Sequence, residues 1–97
     1  MHIANKGYAM KLKTYSGEEI RALRRNLHLN QSEFWAPFQT TQSGGSRYES
    51  GREIPYPVQV LLNIAFGTGA KAASIFDELR AHGNPKKKAK ALQSEAT

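Results

Sequence analysis

The stretches "YSGEEI" (15–20) and "LNQSEF" (29–34) each announce the start of a helix, and their spacing leaves little choice of fold. Ser16 is followed three residues later by Glu19, and Asn30 by Glu33. This is the capping-box pattern, in which cap and acid satisfy each other's backbone N–H groups. Tyr15 with Ile20, and Leu29 with Phe34, occupy the flanking staple positions. Each cap typically stabilises a helix by about 1 kcal/mol. Helix one is thereby confined to roughly residues 17–27, with Ile20, Ala22, Leu23 and Leu27 as its apolar stripe.

Helix two starts at Gln31 and meets Pro37, which lacks an N–H and whose ring opposes the carbonyl of Glu33. It must bend or end near Phe38. Thr41 is the next good cap and predicts a short third helix over 42–49, with Gly51 in the position of a terminating glycine. "REIPYP" (52–57) is a connector, and Pro57 suits the first residue of a fourth helix that ends at Gly67. A fifth is expected over 70–83, with Ala72, Ile75, Phe76 and Leu79 on one face. There is no strand-like alternation and no internal repeat. The chain reads as all-α, with about five short helices.

Ninety-seven residues make one small domain. The absence of cysteine rules out disulfides and thiolate chemistry and fits a reducing cytosol. The longest apolar run, "VQVLLNIAF" (58–66), is too short to span a membrane, and the leading residues form no secretion signal, so a cytoplasmic location is expected. The net charge of +6 is carried entirely by the ends. Residues 17–83 hold seven basic and seven acidic side chains, whereas 1–16 and 84–97 each contribute +3. The organisation expected is a basic arm over 1–15, a helical domain over 16–83, and a basic, disordered tail over 84–97. Such ends suit either contact with a polyanion or simple solubility.

Only about three residues separate the second and third helices. This is helix-turn-helix spacing, in which the second helix of the pair enters the DNA major groove. Gln31 opens the first of them, Gln42 opens the second, and "SRYESG" closes it. In "IRALRRNLHLNQSEF", then "TTQSGGSRYESGREIP", then an apolar fourth helix, the chain resembles the Xre/Cro family of lambda-repressor-like DNA-binding domains over about residues 16–67. The resemblance implies a five-helix lambda-repressor-like bundle, usually a homodimer on a palindromic operator, acting as a transcriptional regulator or an antitoxin. It implies that Gln31 lies against the DNA backbone and braces Gln42, and that Gln42, Ser43, Ser46 and Arg47 face the groove. A glutamine amide can pair bidentately with adenine, and an arginine with guanine. Arg52, just past the helix, suits a phosphate. The resemblance also implies that Arg24 and Glu49 form a partly buried ion pair, a brace preferred here to a DNA role for Arg24.

Several positions depart from that pattern. His28 and Gln39 stand where the family usually has glycine, Trp35 where it has alanine, and Gly45 where it has a buried Ile or Val. Trp35 and Gly45 can compensate each other, with bulk moved from helix three to helix two. Gly44 is expected on the exposed side, where a missing side chain lets the DNA backbone come close.

An enzyme is not expected. Asp77 and Glu78 are adjacent in a helix and diverge, His2, His28 and His82 have no metal spacing, and no Ser-His-acid set can be argued. No cofactor is implied. Ile75, Phe76 and Leu79 can close the core or join two copies. A toxin partner would need a surface that the sequence does not reveal. An interaction module that uses the same fold to bind protein or RNA is the alternative from another class.

Overall fold

The computed structural model describes residues 11–83. Most of the basic arm and all of the basic tail expected from the sequence lie outside the described residues. Five α-helices and one 3-10 turn are present among the described residues, with no strand. They are α1 (Gly17–Asn26), α2 (Gln31–Trp35), the 3-10 turn (Ala36–Phe38), α3 (Gln42–Glu49), α4 (Tyr56–Phe66) and α5 (Gly69–Gly83). The fold class is all-α. The described residues divide into two compact units, Leu12–Leu62 and a second that holds Lys11 and residues 63–83.

The helix starts are set by the caps. Both capping boxes form: Ser16 Oγ accepts from Glu19 N at 3.1 Å while Glu19 Oε1 accepts from Ser16 N at 3.1 Å. The Asn30–Glu33 pair does the same at 2.8 Å in both directions. Thr41 Oγ1 accepts from Gly44 N at 3.0 Å and opens α3. α4 begins at Tyr56, one residue before the expected Pro57, because the Pro55 carbonyl already accepts from the N–H groups of Val58 and Gln59.

Two helix ends are closed by a residue in the left-handed conformation. At α1 that residue is His28, with φ 59°; its N–H reaches the Arg25 carbonyl and the next N–H reaches that of Arg24. At α3 it is Gly51, with φ 121°; its N–H reaches the Tyr48 carbonyl, and Arg52 N–H that of Arg47. Both are paired-bond terminations that satisfy carbonyls the helix cannot.

In the unit Leu12–Leu62 the buried apolar side chains include Ile20, Phe34, Trp35, Ile54 and Leu62. The α1 stripe differs from expectation: Ile20 is buried and Leu23 half-buried, but Ala22 is exposed and Leu27 is 45% exposed. The reason is that the inner line of α1 runs from Ile20 to Arg24, one turn on, where the guanidinium engages a buried carboxylate. Leu27 caps the helix just before the chain turns away at His28. The start of α1 also comes backbone-to-backbone against the end of α3. A Cβ on Gly17 would overlap the Tyr48 carbonyl oxygen and lie 3.1 Å from Glu49 Cα. Ahead of α1, the buried Gln59 amide holds Tyr15 like a partner strand, with Tyr15 N donating to Oε1 and Nε2 donating to the Tyr15 carbonyl, both at 2.9 Å.

In the other unit, the fifth-helix face is divided. Ile75 is buried, whereas Phe76 is 57% and Leu79 42% exposed. Arg80 lies over the Phe76 ring, 5.5 Å from its centre.

Candidate nucleic-acid interface

The proline at 37 shapes the approach to α3. The α-helical hydrogen bonds of α2 stop with Ala36 N–H on the Ser32 carbonyl, and the chain tightens into a 3-10 turn through Phe38. Gln39 then adopts φ 58° and reverses the chain, so that three residues, 39–41, carry it into α3. A short connection of this kind holds two helices at a fixed angle, as helix-turn-helix motifs require.

α3 is seated against α2 by the pairing of a large and a missing side chain. Trp35 is fully buried. A Cβ added to Gly45 would overlap Cδ1, Cγ and Nε1 of that indole. Phe34 packs edge-on to Trp35 at 5.2 Å, and Tyr48 lies on another side at 5.5 Å. The space that a side chain at Gly45 would need is filled by Trp35, so bulk has moved from α3 to α2.

Glu49, at the inner end of α3, is 2% exposed. Its carboxylate accepts from Arg24 Nε and Nη2 at 2.8 Å each, from Trp35 Nε1 at 2.9 Å and from Gln31 Nε2 at 3.2 Å. Arg21 Nε stands farther off, at 3.6 Å. Burial pushes the carboxyl pKa up, but the donors from Arg24, Trp35 and Gln31 outweigh it and hold the group down at about 2. Arg24 also donates to the Leu29 carbonyl at 2.9 Å. One carboxylate thus ties α1, α2 and α3 together. Sequence spacing gives no sign of the Trp35 and Gln31 bonds; the indole N–H, which needs an acceptor when buried, is the one clue that could have pointed to them.

The outer side of α3 is different in kind. Gln42, Ser43 and Arg47 are exposed and Ser46 is half-buried. Glu49 is the only carboxylate in the helix, and it faces inward, so the outer face of α3 carries no negative charge. Gln42 Nε2 donates to Gln31 Oε1, which brings these two residues together at the junction of the helices. Arg52 is exposed and held beside the end of α3 by its backbone bond to Arg47, 2.9 Å. Gly44 departs from expectation. It is half-buried, its N–H is taken by the Thr41 cap, and a Cβ there would lie 3.2 Å from Thr40 Cγ2 and 3.3 Å from Thr41 Oγ1. Its lack of a side chain gives clearance to the cap as well as to anything outside.

No group of three or more His, Cys, Asp or Glu side chains is placed to hold a metal ion among the described residues. None of the described helices is long and apolar enough to cross a membrane.

No curated protein and no solved structure matches the chain. Residues 21–65 match the family model of the RsaL-like HTH domain, a span that runs from α1 through α4 and includes all of α2, the turn and α3. The likeness to Xre/Cro proteins is therefore carried at the level of the motif rather than of that family, and the chain contains a helix-turn-helix domain of the kind found in DNA-binding regulators.

Proposed function

We propose that this protein is a sequence-specific double-stranded DNA-binding transcriptional regulator, a repressor that reads base edges with the outer face of α3. The observation that carries the reading is the division of α3 into two sides. Its inner side is locked by Gly45 and Glu49, and its outer side offers Gln42, Ser43, Ser46 and Arg47 without a carboxylate. Amides, hydroxyls and a guanidinium on an acid-free surface match the donors and acceptors of a major groove lined by phosphates.

In this reading Gln42 and Arg47 contact bases, Ser43 and Ser46 contact bases or phosphates, and Arg52 contacts a phosphate just beyond the helix. Gln31 supports Gln42 from α2, and Gly44 lets the backbone of α3 come close. The Arg24–Glu49 pair acts as a brace and touches no DNA. One such helix covers few base pairs, so two copies on a palindromic operator are proposed. The exposed Phe76 and Leu79 of α5 supply an apolar surface for that pairing.

Selection of bound DNA from a random pool at near-physiological salt tests the proposal. A palindromic winner is expected, with discrimination between it and random DNA lost in Gln42→Ala/Arg47→Ala while the far-UV spectrum stays helical. Discrimination that survives the double change in a folded protein would overturn base reading by α3. Equilibrium sedimentation of Phe76→Glu tests the dimer, which is expected to dissociate.

A further inference from the structure

The hydrogen bonds around Glu49 do more than hold helices together, because they have a direction. An ionised carboxylate only accepts hydrogen bonds. Glu49 is buried, and with Arg24 on both its oxygens it stays ionised. The end of the Gln31 side chain that faces Glu49 must therefore be its NH2 group, and Nε2 lies 3.2 Å from Glu49 Oε1. That leaves the Gln31 carbonyl oxygen turned toward Gln42, so Gln42 must present its own NH2 group inward, as it does. An amide side chain has two ends of nearly the same shape and opposite hydrogen-bonding character. Here the end of Gln42 that remains for the outside is its carbonyl oxygen, together with the second N–H.

We propose that Glu49 is a positioning residue for base readout: through Gln31 it fixes which end of the Gln42 amide faces the DNA. The inference rests on the reading of α3 as the base-contacting helix. With the oxygen outward and one N–H beside it, Gln42 is matched to adenine, whose major-groove edge offers the N6 amino donor and the N7 acceptor. The reversed amide would present two donors and be matched to guanine, whose O6 and N7 both accept. A buried charge that never touches DNA thereby decides between the two purines. Gln31 is the element that transmits it, since it is the one side chain bonded to both Glu49 and Gln42.

The experiment uses the full chain and the DNA selected by it. The base pair facing Gln42 is identified as the one whose replacement no longer matters in Gln42→Ala. That pair is then changed from adenine to guanine, and both affinities are measured by fluorescence anisotropy at fixed salt. The unmodified protein is expected to favour adenine by about tenfold or more. Gln31→Met, which keeps the length of the side chain at a half-buried position, is expected to bring the ratio close to one while lowering the affinity for both DNAs, because the amide that lies against the DNA backbone is lost. Glu49→Gln is expected to bring the ratio close to one as well, and the Gln31→Met/Glu49→Gln double variant to shift the ratio no further than either single change. Should Glu49→Gln fail to fold, Glu49→Asp replaces it: the charge stays for Arg24 while the carboxylate withdraws from Gln31 by one methylene, and the ratio is again expected to fall. An unchanged ratio in Gln31→Met overturns the relay whatever position 49 does. A Glu49 variant that weakens both DNAs equally, leaving the ratio intact, reduces that residue to a brace. Failure of the underlying reading looks different, because then Gln42→Ala itself leaves every base preference in place.

Discussion

The indole of Trp35 occupies the space that a side chain at Gly45 would need. Gly45→Val is therefore expected to destabilise the protein by about 2 kcal/mol or more through overpacking. Trp35→Ala is expected to cost about 4 kcal/mol, since it opens a cavity and also removes a donor from Glu49. The double variant Trp35→Ala/Gly45→Val should be more stable than the sum of the two losses. Thermal unfolding of the four proteins measures the coupling. Strictly additive losses would mean that the two positions do not share a volume.

Acid should unfold the protein through Glu49. Its folded-state pKa is held at about 2, below the ordinary carboxyl value of 4.5. A depressed carboxyl pKa favours the folded state at every pH above the ordinary value, and that contribution drains away as pH falls toward 2. The contribution at neutral pH is on the order of 3 kcal/mol. Urea midpoints are expected to fall steeply between about pH 4.5 and pH 2 and to be much flatter in Glu49→Gln, which starts lower.

His28 and Gln39 offer the opposite test, a gain. Both hold a left-handed backbone, at φ 59° and 58°, without being glycine. A side chain there costs on the order of 1 kcal/mol, part of which glycine returns to the unfolded chain as added freedom. His28→Gly and Gln39→Gly are each expected to raise the melting temperature by a few degrees in this small protein. A fall in both would show that the side chains contribute more than the backbone conformation costs.

Arg52 should affect affinity without affecting choice of sequence. In the proposed reading Arg52 contacts a phosphate, so Arg52→Ala is expected to reduce the log–log dependence of binding on salt by about 0.9 while base preferences stay as they were. Titrations of one operator and its single-base variants at several salt concentrations separate the two. Altered base preference would move Arg52 from the backbone to the groove.

Most helix boundaries could be read from the chain because they are written locally. Ser16, Asn30 and Thr41 accept from N–H groups three residues on, and Gly51 ends α3 by its own backbone conformation. The exchange of bulk between Trp35 and Gly45 was also legible, since a large residue and a missing one stood at facing positions of a recognisable motif. What stayed hidden depends on partners distant in sequence. Tyr15 and Gln59 are joined across 44 residues by an amide that imitates a backbone. Gly17 reads as an ordinary first helical residue until the Tyr48 carbonyl is found against it. Around Glu49 the resemblance offered Arg24 alone, and nothing in the spacing shows that the indole of Trp35 and the amide of Gln31 converge on the same two oxygens. Leu27 misled because periodicity cannot tell that Arg24 takes the inner line of α1.

The two-sided character of α3 has a practical corollary for anyone wishing to retarget the protein. In the proposed reading, positions 42, 43, 46 and 47 form an exchangeable cassette, with 42 tied through Gln31 to the seat. Positions 45 and 49 belong to the chassis. A helix borrowed whole from a DNA-binding regulator, bringing an isoleucine or valine at 45, would arrive with a plug for a socket that Trp35 has already filled.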